Sequence, residues 1–405
     1  MNINVKVYSE WYGCPFSKAE SLIAEEKLGI VVKSPEKADV LLITTCTVKT
    51  ETEKNMFKRI QALSKIGKPL VVYGCLVDID AARIRKLAPE ALLVGTGHLD
   101  NIFDVFWKKE LLGARRTIKL GKLGAWPTAI IPIAEGCLGN CSFCVTKRAR
   151  GHLFSYPQEL LLGAVKQAVA LGYRELWLTA QDTAAYGKDY GTSLSELIGE
   201  IAKIRGKFVV RVGMGSPSLQ LKQLDEIIDV FQSKKFFKFI HAPVQSGSES
   251  IVRKMKRNHS VRDYLRLCTK FRDTFPRGTV WTDIITGYPG ESKKDFEKTL
   301  DVLRKSEPDK VNVSRFGKRP GTEAENLKDL PEWIKKERSR DAVSLANKIA
   351  LQRNIFYLGR KVNIFFNETG SGRTENYKQV VGSGQIGEWS ALKITGATAG
   401  YMIAK

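Results

Sequence analysis

Long apolar runs are missing from this chain. No stretch approaches the ~20 consecutive apolar residues that cross a bilayer, and the closing Ala399-Gly400-Tyr401-Met402-Ile403-Ala404-Lys405 forms no apolar tail. The opening Met1-Asn2-Ile3-Asn4-Val5-Lys6-Val7 reads as a first strand and not as a secretory signal. A cytoplasmic protein with no membrane partner is the expectation. Histidine is scarce, with four residues, and His98, His152, His241 and His259 stand at no spacing that suits a metal. Acidic residues are outnumbered, 43 against 65 basic, for a formal charge of +22. Some organisms carry lysine on every surface, but an excess this large marks a polyanion partner, because clustered cations release the counterions condensed on phosphates. Composition does not choose among RNA, DNA and lipid headgroups. No repeat or low-complexity tract interrupts the 405 residues, which suffice for two or three folded domains.

Cysteine is sparse too, but its placement carries information. The seven thiols stand at positions 14, 46, 75, 137, 141, 144 and 268. An odd count in a reducing compartment argues against a disulfide framework and for metal or catalytic use. Six fall into two sets of three. Cys268, in a helical pattern, reads as a buried small side chain.

From residue 1 to about 113, β-rich runs at 5–9, 39–44, 70–73 and 92–95 alternate with helical patterns at 17–28, 49–65, 78–87 and 101–109. Such alternation implies a parallel sheet with helices on its faces, whose ligands sit at the carboxyl ends of the strands. Cys14, Cys46 and Cys75 each fall just past an expected strand, so three loops at one sheet edge bring three thiols together. From about 125 to 316 the alternation resumes, with strands at 129–134, 175–179, 208–212, 237–241, 280–285 and 310–314. Six such units fit a partial barrel with its chemistry at the strands' carboxyl ends. A long charged helix is expected over 331–358. Short strands among Gly, Ser, Asn and Thr over 361–405 suggest a small antiparallel β-barrel. The fold class is therefore α/β, in three units: 1–113, 125–358 with its trailing helix, and 359–405.

The segment Cys137-Leu138-Gly139-Asn140-Cys141-Ser142-Phe143-Cys144 sets three cysteines after the first barrel strand, in the pattern CxxxCxxC. Thiolates are soft ligands suited to iron–sulfur clusters. A 4Fe–4S cube has four iron corners, so three cysteines leave one iron open to a small molecule. A structural zinc site normally takes four protein ligands, and no histidine here stands ready as the fourth.

This arrangement resembles the radical S-adenosylmethionine superfamily. The stretch from Pro132-Ile133-Ala134-Glu135-Gly136-Cys137 through Arg148-Ala149-Arg150-Gly151 resembles its methylthiotransferases, most closely the threonylcarbamoyladenosine tRNA methylthiotransferases of archaea and eukaryotes. The likeness continues in Gln181-Asp182-Thr183, in Pro243-Val244-Gln245-Ser246-Gly247-Ser248, and from Thr282-Asp283-Ile284 to Gly287-Tyr288-Pro289-Gly290-Glu291. It extends to Arg319-Pro320-Gly321-Thr322 and, near the start, to Tyr12-Gly13-Cys14, Thr45-Cys46-Thr47-Val48-Lys49 and Tyr73-Gly74-Cys75. The chain departs from the family at Thr44, where asparagine is usual, and at Pro15-Phe16-Ser17, where a polar run is common.

The resemblance implies conversion of N6-threonylcarbamoyladenosine at tRNA position 37, beside the anticodon, to its 2-methylthio derivative. The implied cofactors are two 4Fe–4S clusters and S-adenosylmethionine. Cys137, Cys141 and Cys144 would hold the cluster at which S-adenosylmethionine is cleaved to a 5′-deoxyadenosyl radical. Cys14, Cys46 and Cys75 would hold the second, which carries the sulfur that is methylated and delivered to the base. Polar side chains offer no easy route to such C–H chemistry, so the cofactor carries it. Gln181 and Asp182 are expected to meet the amino group of S-adenosylmethionine, and Gly287 and Glu291 to border its adenosyl part. The last unit resembles a TRAM domain, notably in Gly372-Arg373-Thr374-Glu375-Asn376-Tyr377. Arg373 and Tyr377 are expected on RNA backbone and base, while the catalytic unit reads an unpaired base of the anticodon stem-loop. The basic runs 147–150 and 253–257 are further candidates for RNA contacts. A monomer reduced by ferredoxin or flavodoxin is expected. Other readings stay open: the same chemistry on another tRNA adenosine or on a ribosomal protein, a different radical product on tRNA, or a zinc-stabilised tRNA-binding protein without catalysis.

Overall fold

The computed structural model describes residues 5–47, 50–113 and 117–405. Residues 1–4 of the expected first strand, and Val48 and Lys49 of the Cys46 motif, lie outside the described residues. Strands β1 (Lys6–Trp11), β2 (Ile30–Val31), β3 (Val40–Thr45), β4 (Leu70–Gly74), β5 (Leu92–Val94) and β6 (Glu110–Leu111) form a parallel sheet in the order β2-β1-β3-β4-β5-β6. β3 and β4 are buried along their whole length, which is why they read as unbroken apolar runs. Helices Pro15–Leu28, Thr50–Ser64 and Cys75–Leu87 return the chain between strands. The strand order reverses between β1 and β3, the kind of switch point at which open sheets of this class bind ligands. The helix expected over 101–109 is shorter: a 3-10 turn at Ile102–Asp104 leads into Val105–Lys108, which ends at Lys109 with φ 59°.

The second unit begins with β7 (Thr128–Pro132) and a short antiparallel pair, β8 (Ala134–Glu135) with β9 (Phe154–Ser155). Strands β10 (Glu175–Thr179), β11 (Val209–Val212), β12 (Phe239–His241), β13 (Thr279–Thr286) and β14 (Lys310–Arg315) follow. β7, β10 and β11 pair in parallel, as do β12, β13 and β14, and a parallel bridge from Val210 to Phe236 joins the two sets. The result is the expected open barrel of six strands. Helix Leu224–Phe231 buries Leu224, Ile227, Ile228 and Phe231, the apolar stripe that packs a helix on a sheet. Among the described residues no helix is long and apolar enough to cross a membrane.

Helix Glu332–Ile355 leads to β15 (Lys361–Glu368), β16 (Ser371–Thr374), β17 (Gln379–Val381), β18 (Trp389–Ala397) and β19 (Met402–Ala404), a closed barrel around Ile364, Phe366, Val380, Ile394 and Met402. It is not antiparallel throughout, because β17 and β19 pair in parallel. This small barrel stops the amino-terminal end of the large one. Tyr377, at φ 63°, is buried with its ring centroid 4.8 Å from Phe237, 4.7 Å from Phe239 and 5.7 Å from Trp281. Beside it Lys378 Nζ donates to Asp309 Oδ1 at 2.6 Å and to Asn354 Oδ1 at 2.8 Å. Asp309, just ahead of β14, also pairs with Arg353 and Arg272. Burial alone would raise its carboxyl, but the three cations hold it below the usual range.

Candidate active site

Three neighbouring strands, β1, β3 and β4, deliver Cys14, Cys46 and Cys75 at their carboxyl ends. Cys14 caps helix Pro15–Leu28 and Cys75 opens helix Cys75–Leu87. Glycine permits the close approach. Gly13 (φ 134°) and Gly74 (φ 110°) directly precede the two outer cysteines. A Cβ on Gly13 would stand 2.7 Å from Cys46 Cβ, and one on Gly74 2.7 Å from the Thr45 carbonyl oxygen. Both Tyr-Gly-Cys loops therefore fold onto the Cys46 loop. Burial pushes the Cys75 thiol far up, with Cys46 and Cys14 adding to the rise as nearby charges, while Cys14 is exposed. The trio is closed inside and open at one corner.

The second trio lies on the loop between β8 and helix Thr146–Arg150. The Gly139 amide donates to Cys137 Sγ at 3.2 Å, and a Cβ on Gly139 would stand 3.3 Å from that sulfur and 3.6 Å from Cys141 Sγ. Gln181 Oε1 accepts from the Gly136 amide at 2.7 Å, pinning the start of the loop. Buried Asp182 accepts from the Ser216 amide at 2.9 Å. Gln181 thus touches the start of the cysteine loop, and Asp182 stands near Cys137. Arg257 donates to Cys141 Sγ at 3.4 Å and to the Pro243 carbonyl at 3.2 Å. Its Nε is buried without a hydrogen-bond partner. Burial, with Asp182 in support, pushes Cys137 up to about 11. Cys141 is raised by burial and partly relieved by Arg257. Both thiols would have to lose their protons to ligate a metal.

Among the described residues no group of three or more His, Cys, Asp or Glu side chains is arranged to hold a single metal ion. Three thiols on each unit are the ligand type and number that leave one iron of a 4Fe–4S cluster without a protein ligand. Amide and guanidinium donors aimed at the sulfurs suit such a group.

A buried network of charge joins the two units beside Cys75. Glu20, from helix Pro15–Leu28, meets Lys119 at 3.0 Å and Arg150, and accepts from Tyr73 Oη at 2.8 Å. Glu135, on β8, meets Lys119 at 2.6 Å and Arg150 at 2.8 Å. Arg150 also donates from Nε to Cys75 Sγ at 3.2 Å. Burial would raise the Glu20 carboxyl, but Arg150 and Lys119 overcome it and hold the group low. A second joint runs from Arg319 Nη1 to Glu53 Oε2 at 2.6 Å, and Thr47 Oγ1 donates to the same oxygen at 3.0 Å.

Other expectations need correction. Arg150 and Arg257 belong to the basic runs read as RNA contacts, yet both point inward at thiols. The Gly287–Glu291 turn, expected to border the adenosyl group, also packs on the long helix. Glu291, raised by burial, accepts from the Gly287 amide at 2.8 Å and from Arg338 at 2.6 Å. A Cβ on Gly287 (φ 73°) would stand 2.3 Å from Lys335 Cγ. Tyr377 offers no free face for base stacking, because Phe237, Phe239 and Trp281 enclose it. Arg373 is half-buried, its guanidinium 4.7 Å from the Tyr377 ring centroid. Glu20 and Lys119 were not singled out from the sequence, and Glu135 and Arg319 only as members of longer motifs, since nothing local distinguishes them from solvated charges.

Residues 131–303 match the radical SAM superfamily and residues 6–95 the uncharacterized protein family UPF0004. A probable threonylcarbamoyladenosine tRNA methylthiotransferase of Pyrococcus horikoshii is 38% identical over 99% of this chain and 99% of its own length. Its counterpart in Archaeoglobus fulgidus is 38% identical over 99% and 98%. The Drosophila melanogaster threonylcarbamoyladenosine tRNA methylthiotransferase is 33% identical over 84% of this chain and 65% of its own. Among solved structures, the radical S-adenosylmethionine methyltransferase TsrM of Kitasatospora setae superposes with a TM-score of 0.58 at 12% identity, covering 79% of this chain and 75% of that one, a likeness of fold.

Proposed function

Because the chain belongs to the threonylcarbamoyladenosine tRNA methylthiotransferase family of radical S-adenosylmethionine enzymes, we propose that it places a methylthio group on C2 of N6-threonylcarbamoyladenosine at tRNA position 37. The observation that supports this reading is that each α/β unit carries three cysteines, with Arg150, just past Cys144, donating to Cys75 Sγ. A 4Fe–4S cluster and S-adenosylmethionine, when bound, supply the one-electron chemistry that an unactivated C–H bond requires.

The residues divide the work. Cys137, Cys141 and Cys144 hold the catalytic cluster, with the Gly139 amide and Arg257 as donors to its sulfurs. Gln181 fixes the loop, and Asp182 sets a carboxyl beside Cys137, where it can meet an ammonium group. Cys14, Cys46 and Cys75 hold a second 4Fe–4S cluster. Three ligands leave one corner of it for the sulfur to be transferred. The formal charge of +22 supports a tRNA substrate. The small barrel supports RNA binding through its exposed cations, such as Arg360, Lys361 and Lys393, and not through Tyr377. The enzyme works in the cytoplasm as a monomer and takes electrons from a ferredoxin- or flavodoxin-type donor.

Nucleoside mass spectrometry of tRNA from a strain lacking the gene tests this reading. The 2-methylthio nucleoside should vanish and its N6-threonylcarbamoyladenosine precursor accumulate. Persistence of the 2-methylthio form at parental levels would refute it.

A further inference from the structure

Arg150 closes the short helix that follows Cys144, so it belongs to the catalytic loop, yet its guanidinium reaches into the N-terminal unit. Two of its nitrogens serve Glu20 and Glu135, and its Nε is left for Cys75 Sγ at 3.2 Å. The Phe16 ring packs 4.9 Å from the guanidinium carbon, a cation–π contact made by one of the residues that departs from the family pattern. Glu20 and Glu135 already balance Lys119 and Arg150 in charge, so Cys75 is not needed to neutralise anything. A thiol is a weak acceptor. A buried guanidinium aimed at it gains strength only when the sulfur carries negative charge, as a metal-bound thiolate does.

We propose that Arg150 is a positioning residue that couples the two cysteine sites, donating to the Cys75 sulfur while it ligates iron. The inference rests on reading the N-terminal trio as a cluster site. Hydrogen bonds to ligand sulfurs are among the determinants of a cluster's reduction potential. Arg150 therefore sets the potential of the N-terminal cluster from the catalytic side of the joint. Any shift of the catalytic loop changes that donor. Arg257, on Cys141, gives the other trio its own donor, so the two potentials respond to different residues.

The test compares anaerobically reconstituted full-length wild type and Arg150→Lys by iron content and EPR-monitored redox titration. Lysine keeps the charge facing Glu20 and Glu135 but lacks the planar fork that also reaches Cys75. Both proteins should carry about eight irons per chain, as two 4Fe–4S clusters require. One midpoint potential should fall in the variant, because the lost donor no longer stabilises the more negative reduced form; the other should stay. If Arg150→Lys does not assemble, protein labelled with an arginine nitrogen isotope carries the test alone. In a Cys141→Ala background, pulsed EPR of the remaining reduced cluster should show coupling to a guanidinium nitrogen. Two clusters with unchanged potentials, or no such coupling, would overturn the proposal. Four irons in wild type, retained in Cys46→Ala, would overturn the two-cluster reading as well.

Discussion

Reductive cleavage of S-adenosylmethionine to 5′-deoxyadenosine should fall to the level of a protein-free control when Cys141 is replaced by alanine. Cys141 lies at the centre of the CxxxCxxC loop proposed to hold the catalytic cluster, with Arg257 on its sulfur and Cys144 beside it. The loop has three thiols for a group with four corners, so none is redundant. Removing Cys141 leaves two thiols and takes away the sulfur that accepts from Arg257, whose Nε is already without a partner. Anaerobic assay with a strong reductant, with circular dichroism as the folding control, reads the outcome. Wild-type 5′-deoxyadenosine from a folded variant would show that this trio is not the catalytic site.

The second large effect concerns Tyr377. Its ring is enclosed by Phe237, Phe239 and Trp281, with the Arg211 guanidinium 5.7 Å away. Tyr377→Ala should cost about 3–5 kcal/mol, the usual range for removing a large buried aromatic side chain. It loses the packing and leaves the foot of the large barrel unstopped. Lys378 and Asp309 beside it would keep the barrels loosely joined, so unfolding should become less cooperative. Chemical denaturation followed by tryptophan fluorescence measures this. A loss below about 0.5 kcal/mol, the level of an ordinary surface substitution, would mean that the tyrosine is not the latch. The same geometry predicts that removing 359–405 exposes three aromatic rings, so a truncated enzyme tests more than RNA binding.

Much of the site was legible because its geometry follows from strand order. β3 and β4 are buried throughout, so their apolar runs stand out, and the cysteines that follow them mark the carboxyl edge of a parallel sheet. The CxxxCxxC loop was legible because its ligands are local. The Tyr-Gly-Cys repeats held a further signal: glycine ahead of a cysteine marks a backbone at positive φ pressed against a neighbouring loop. Arg150 was not legible, because its partner Glu20 is 130 positions away, and a basic run looks the same on a surface or in a joint. Tyr377 was misread for a related reason. Burial of its ring depends on two units docking, and the local pattern shows only a turn. Strands β2 and β6, two residues each, are too short to show any periodicity.

If two three-cysteine sites divide one reaction between them, as proposed, Cys46→Ala should separate their shares. Cys46 sits on the middle loop of the N-terminal trio, against Gly13, and takes no part in the catalytic loop. The variant, reconstituted anaerobically and given tRNA, reductant and S-adenosylmethionine, should still release 5′-deoxyadenosine while forming no methylthiolated nucleoside. Methylthiolated nucleoside at wild-type levels from Cys46→Ala would contradict the claim.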